Sequence, residues 1–166
     1  ARIRRRGYAG LEKPGGGDGV DPIFSYHHFN GQIYSAHTVV AFNLTDVSEE
    51  EGGFVCIPGS HKANFSLPLD RRGFKNGKID MSLLRSVPCK AGSAVIFTEA
   101  LSHGAAPWEN DRERVNLFYK YNHAGIKWRN FWPSKEALER MTPGQRSFYS
   151  EVGSDPREKR IPYLGR

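Results

Sequence analysis

The stretch VPCKAGSAVIFTEALSHGAAPWENDRERVNLFYKYNH, residues 87–123, decides the fold. It opens with a short pairing segment and a turn over Lys90 to Gly92, then becomes a strand over residues 93–98, where β-branched and aromatic side chains cluster. A second strand starts at Arg114, with a short loop before it. His103 follows the first strand and stands eleven residues before Arg114. Two antiparallel neighbours joined in this way can put both side chains in one barrel mouth. There an imidazole can bind a divalent metal through its neutral nitrogen, and a guanidinium can take a carboxylate in a two-pronged fork. The plainer alternative is a surface Arg114 paired with Glu109, Asp111 or Glu113, and spacing alone does not separate the two.

Outward from this stretch the pattern continues. IFSYHHF (23–29) and QIYSAHTVVAFNL (32–44) read as strands, the second long and apolar as if covered on both faces. DVSEEEGG is an acidic turn that feeds a third strand, GFVCIPG, stopped by Pro58 and Gly59. Residues 10–22 (GLEKPGGGDGVDP) and 62–78 are loops by their Gly, Pro and polar content. Helix is expected only near the end, in Glu136 to Met141 capped by Ser134, and in TPGQRSFYSEV. Short strands followed by a helical tail predict a β-barrel or sandwich. The 166 residues, 38% hydrophobic and 12% aromatic, suffice for one domain over 1–166, with 134–152 as its helical segment.

Several classes are excluded or disfavoured. No apolar run reaches membrane-spanning length, the start ARIRRRGYAG has no apolar leader core, and the missing initiator Met suggests a partial chain. Cys56 and Cys89 read as buried free thiols, which points to an intracellular, cytoplasmic setting. The net charge of +6 comes from basic residues scattered among acids, apart from Arg2, Arg4, Arg5 and Arg6. A nucleic-acid partner is not expected: it needs basic and aromatic residues on one strand face, whereas Tyr119 and Tyr121 alternate away from Arg114 and Lys120. His27 and His28 alternate to opposite faces, so only one of them can enter a barrel. His37, inside a strand, reads as a satisfied core or surface histidine.

The run GGFVCIPGSHK, then VPCKAGSAVIFTEALSHGAAPWENDRER, then VNLFYKY resembles the ordered motifs of the phytanoyl-CoA dioxygenase family. YHHFNGQIYSAHTVVAFNLTDV and MTPGQRSF extend the resemblance over roughly residues 23–149. It implies a mainly β fold, a double-stranded β-helix of jelly-roll or cupin-like form with short C-terminal helices. It also implies a non-haem Fe(II)/2-oxoglutarate-dependent dioxygenase. Such an enzyme uses Fe(II), 2-oxoglutarate as cosubstrate and O2, hydroxylates a small or lipid-like organic substrate, and decarboxylates 2-oxoglutarate to succinate. On this resemblance His103 is the distal metal ligand, Arg114 binds the far carboxylate of 2-oxoglutarate, and His61 is structural.

The sequence departs from the family in one respect: it contains no His-x-Asp or His-x-Glu. The upstream histidine of the family branch would precede the Gly-rich loop beginning at Gly15, where Lys13 and Pro14 stand instead. Alternatively His28 is the second metal ligand, with Asn30 in place of the carboxylate, or Asp18 or Glu12 supplies a carboxylate alone. The chain also begins where the family would already have finished its N-terminal helices and first strands. A degenerate, non-catalytic member acting as a ligand-binding or interaction module is therefore the competing function. Substrate choice is expected from loops 62–80 and 122–133, and Trp128, Phe131 and Trp132 read as pocket lining or as a buried hinge to the helices.

Overall fold

In the computed structural model, residues 1–8, 25–63, 74–75, 78–79, 82–122 and 132–149 are described. The expectations for Glu12, Asp18 and the rest of the Gly-rich loop, for Trp128 and Phe131, and for most of the two specificity loops lie outside these residues. The strands are β1 (Arg2–Arg4), β2 (Tyr26–Phe29), β3 (Gln32–Ser35), β4 (His37–Asn43), β5 (Gly53–Cys56), β6 (Phe74–Lys75), β7 (Lys78–Ile79), β8 (Arg85–Ser86), β9 (Ala94–Thr98), β10 (His103–Ala106) and β11 (Arg114–Asn122). The helices are α1 (Lys135–Arg140) and α2 (Pro143–Arg146).

Period-two alternation builds the core. Along β4 the side chains of His37, Val39, Ala41 and Asn43 are buried, and those between them are not. β4 pairs antiparallel with β9, Val39 opposite Phe97, in a four-stranded sheet ordered β1-β11-β4-β9. A three-stranded sheet, β10-β5-β8, packs its inner face on the first: Val39, Ala41 and Phe97 form one buried cluster with Phe54, Cys56 and Leu101. Two antiparallel sheets sharing one core make the double-stranded β-helix. Contacts divide the chain into two compact units, Ala1–Tyr121 and Asn122–Arg166, where the sequence reads as one domain.

Two local expectations need correction. The long apolar strand is broken at Ala36 into β3 and β4. β3 folds back on β2 through Asn30 and Gly31, both at positive φ (52° and 71°), the conformation a two-residue primed hairpin turn demands. Because that hairpin is a separate two-stranded sheet, His27 and His28 are both exposed rather than split between inside and outside. The basic N-terminal run is an edge strand whose charges are answered within the molecule: Arg5 pairs with Glu113 at 2.6 Å, Arg6 with Asp111 at 2.7 Å, and Arg4 lies over the ring of Tyr8. Among the described residues no helix is long and apolar enough to cross a membrane.

The second unit carries α1 and α2. Ser134 caps α1 by accepting the backbone N–H of Ala137 at 3.2 Å, and Thr142 with Gln145 forms a reciprocal capping box on α2. Trp132 is exposed in this unit.

Gly52, just before β5, is dictated by space. Gly52 has φ 93°, and a Cβ there would sit 1.7 Å from the carbonyl oxygen of Pro107. Gly59 also has positive φ, 82°, but a Cβ there meets nothing within 4 Å. Gly59→Ala should therefore cost about 1–2 kcal/mol of backbone strain, whereas Gly52→Ala should cost more than about 3 kcal/mol, because strain and a backbone collision add. Urea unfolding midpoints of the two variants check this; equal losses would remove the collision from the account.

Candidate functional site

The inward face of β11 runs Arg114, Asn116, Phe118, Lys120. Arg114 is 6% exposed and Asn116 2%, while Phe118 packs against the main core. Asn116 donates through Nδ2 to Oδ1 of Asn43 on the neighbouring strand. Gly53 lies beside the guanidinium: a Cβ added there would be in ordinary contact with Cζ of Arg114 at 3.7 Å and would collide with Cγ1 of Val47 at 2.8 Å. Among the described residues Nε of Arg114 has no hydrogen-bond partner, and none of the ion pairs includes this residue. Burial, then the like charge of Arg4, pushes its pKa down from the ordinary arginine value. A guanidinium nevertheless keeps its proton, so a positive charge stands in a confined place without a counter-charge among the described residues.

Arg112, two residues earlier, differs. Its side chain is 38% exposed, pairs with Glu51 at 2.6 Å, donates to the carbonyl of Asp46, and lies over the Trp108 ring. A recess lined by Asp46, Val47, Glu51, Cys89 and Arg112 opens beside it, and neither His103 nor Glu99 belongs to that recess. Two of the acids that could have held Arg114 at the surface, Glu113 and Asp111, are engaged by Arg5 and Arg6.

His103 is not on a strand adjacent to Arg114. It opens β10, which pairs with β5 in the other sheet, His103 opposite Cys56 and Ala106 opposite Gly53. The two residues therefore come from different sheets of the barrel. Since Arg114 lies beside Gly53 and His103 is level with Cys56, they are offset along β5 by three residues, about 10 Å.

The imidazole of His103 is held on several sides. Its ring lies 4.6 Å from the Phe97 ring and 5.7 Å from the Phe54 ring, centroid to centroid. The PGSH turn anchors the preceding residue: the Ser102 N–H donates to Oγ of Ser60 at 2.8 Å. His61 itself is half-buried with its ring edge-on to Tyr26. Nδ1 of His103 lies 2.7 Å from the carbonyl oxygen of Leu101. A carbonyl can only accept, so Nδ1 carries the proton, and in the neutral ring Nε2 bears the lone pair. Burial holds the pKa of His103 below the usual histidine value, against the pull of Leu101 and Glu99, which favours that neutral form.

That lone pair faces a carboxylate. Oε1 of Glu99 is 3.9 Å from Nε2 of His103, and Oε2 is 3.8 Å from Nε2 of His37. His37 is 1% exposed and Glu99 7%. The Glu99 N–H donates to the His37 carbonyl at 2.9 Å, so the β4–β9 register brings the two side chains together. Lys120, at the far end of the β11 inner face, donates to Oε2 of Glu99 at 3.1 Å. Among the described residues no group of three His, Cys, Asp or Glu side chains is drawn together at coordination spacing. The gaps from Glu99 to His103 and to His37, 3.9 and 3.8 Å, are wider than the roughly 3–3.4 Å between adjacent donors about 2.1 Å from one cation, so the cluster has the donor types of such a site, two imidazole nitrogens and a carboxylate, without its spacing.

His28 is not brought into this cluster. It is exposed on β2, opposite Ile33, and its suggested companion Asn30 is committed to the hairpin turn. Sequence reasoning missed Glu99, His37 and Lys120. The available signals were the four-residue spacing from Glu99 to His103 and the alternation that puts Lys120 on the Arg114 face.

No curated protein matches the chain. Solved structures do. HygX from Streptomyces hygroscopicus with iron bound is 25% identical, with a TM-score of 0.61 over 72% of this chain and 54% of HygX. HygX with nickel and 2-oxoglutarate bound is 24% identical, with a TM-score of 0.60 over 71% of this chain and 51% of that one. A third structure holds nickel, 2-oxoglutarate and hygromycin B, at 24% identity and a TM-score of 0.57 over the same shares of the two chains. The chain thus spans about half the length of the structures it matches. The family model of phytanoyl-CoA dioxygenase (PhyH) matches residues 10–116. With that match covering most of the chain and the fold in agreement, the chain belongs to the phytanoyl-CoA dioxygenase family, whose members use Fe(II), 2-oxoglutarate and O2.

Proposed function

We propose that the chain is the core of a non-haem Fe(II)/2-oxoglutarate-dependent oxygenase that hydroxylates a small or lipid-like organic molecule. The observation that carries this reading is the buried guanidinium of Arg114, without a protein counter-charge among the described residues and about 10 Å along the barrel from His103. A short dicarboxylate fits between such groups, one end in the fork of Arg114 and the other beside a cation held at His103. HygX, a structural relative, binds iron, 2-oxoglutarate and hygromycin B, which supports a small-molecule substrate.

Iron, when bound, supplies substrate oxidation coupled to decarboxylation of 2-oxoglutarate to succinate. The protein's own residues bind and orient. Arg114 fixes the far carboxylate and neutralises its own buried charge in doing so. Asn116, paired with Asn43, lines the same face. Phe54 and Phe97 hold the imidazole plane and keep water from its sides.

A second reading is the degenerate barrel that binds a carboxylate without catalysis. It is favoured by the ammonium of Lys120, which is already paired with Glu99. Anaerobic titration with Fe(II), with and without 2-oxoglutarate and followed by absorbance, separates the two readings: the oxygenase binds both, and the degenerate barrel takes no iron.

Two outcomes are expected from variants. His103→Ala should abolish Fe(II) binding while leaving the circular dichroism spectrum unchanged; retained affinity would end the ligand assignment. Arg114→Ala should weaken 2-oxoglutarate binding about tenfold or more, as for loss of a charged hydrogen-bonded contact of about 1.5–3 kcal/mol. Arg112→Ala, whose guanidinium is held by Glu51 and Asp46, should change it little. Calorimetric titration of both variants decides, and equal effects would reject the cosubstrate role of Arg114.

A further inference from the structure

The pairing of β1 with β11 sets two arginines against each other. Arg4 stands opposite Arg114, with Ile3 opposite Val115 and Arg2 opposite Asn116. Directly opposed residues share one face of a sheet with their Cβ atoms about 4.5–5.5 Å apart, and like charges in that relation destabilise the pair. Arg114 is buried on the inner face, so Arg4 comes from the same side. Its charge is one of the causes that push the pKa of Arg114 down.

The next two arginines of the chain each have a carboxylate, Glu113 for Arg5 and Asp111 for Arg6. Arg4 is treated differently. Its guanidinium lies 4.3 Å from the centroid of the Tyr8 ring and donates once, to the Ile3 carbonyl at 3.2 Å; among the described residues it joins no ion pair. A ring takes one face of a guanidinium and none of its N–H donors. Tyr8 is itself fastened, because its carbonyl accepts the N–H of Trp108 at 3.1 Å and Trp108 is 1% exposed. Arg4 is therefore held, half-buried, beside an enclosed Arg114 whose Nε has no hydrogen-bond partner among the described residues. A carboxylate, with two oxygens and about four lone-pair sites, can bridge two such forks.

We infer that Arg4 is the second guanidinium of the carboxylate subsite, so that the far carboxylate of the dicarboxylate is shared between Arg114 and Arg4. The inference rests on the reading of Arg114 as the partner of that carboxylate and adds a residue to it from outside the stretch 10–116 that the family model matches. The bound anion turns the repulsion across the β1–β11 register into a bridge, and so fastens the edge strand β1 to its neighbour.

The test is anaerobic calorimetric titration of the chain with 2-oxoglutarate in the presence of Fe(II). Arg4→Gln should weaken binding about tenfold, the scale of one charge-assisted hydrogen bond, with an unchanged circular dichroism spectrum. Arg4→Lys keeps the charge without the planar fork and should lose less, though still severalfold. Arg2→Gln, whose guanidinium lies 5.3 Å from the centroid of the Phe118 ring, should bind like the unmodified chain. In the double variant of Arg4→Gln with Arg114→Ala the loss should be smaller than the product of the two single losses, because both groups hold one carboxylate. If Arg4→Gln does not fold, Arg4→Lys decides, and unchanged affinity there would overturn the inference. Affinity unchanged in Arg4→Gln but reduced in Arg114→Ala would overturn the shared carboxylate while leaving the proposed function standing. Fully multiplicative losses in the double variant would do the same, since the two arginines would then act at separate places. Binding retained in Arg114→Ala would overturn both, as would no 2-oxoglutarate binding by the unmodified chain.

Discussion

A guanidinium buried without a carboxylate among the described residues is the constraint on which the rest of the barrel depends. Arg114 cannot shed its charge, and a lone buried charge is costly. The surroundings reduce that cost without cancelling it. Gly53 presents only backbone beside Cζ. The nearby Asn43–Asn116 pair satisfies itself and leaves the arginine fork for something else. Arg4, in register with Arg114 across the β1–β11 pairing, adds repulsion rather than relief. Such an environment is stable only with an anion in it or with enough packing elsewhere to tolerate its lack. The packing is supplied by Val39, Ala41, Phe54, Cys56, Phe97 and Leu101, directly along the barrel from the charge.

Strand content was legible because it rests on local pattern. The alternation in HTVVAFN and RVNLFYKYN survives as buried and less buried positions in β4 and β11. Arg114 could be separated from Arg112 for the same reason: both lie on one face, but the loop end reaches solvent. What failed was pairing. Nothing in residues 87–123 says that β10 leaves the sheet of β9 to pair with β5, so His103 and Arg114 were expected as neighbours and instead belong to opposite sheets. The Asn30-Gly31 turn was a readable hairpin signal. Recognised, it would have put His28 on an isolated two-stranded ribbon and Asn30 in a turn, and so outside a barrel site.

Glu99 stayed hidden for a different reason. A single glutamate after an apolar strand reads as the point where the chain reaches water. Its burial follows from the β4–β9 register, which joins its backbone to His37, and from β11, which delivers Lys120 from across the sheet. Three strands far apart in sequence have to be aligned before the carboxylate acquires neighbours. His37, expected as a satisfied core or surface histidine, is buried, and the register sets its Nε2 3.8 Å from Oε2 of Glu99.

The electrostatics of the two ends of the barrel are then complementary. At one end stands Arg114, without a carboxylate partner among the described residues; at the other stands a buried carboxylate, Glu99, paired with the ammonium of Lys120. A guanidinium is held by its planar fork, whereas an ammonium is a point charge that moves easily. The planar fork therefore fixes the direction from which Arg114 can be met, whereas at Glu99 only the position of a point charge is set.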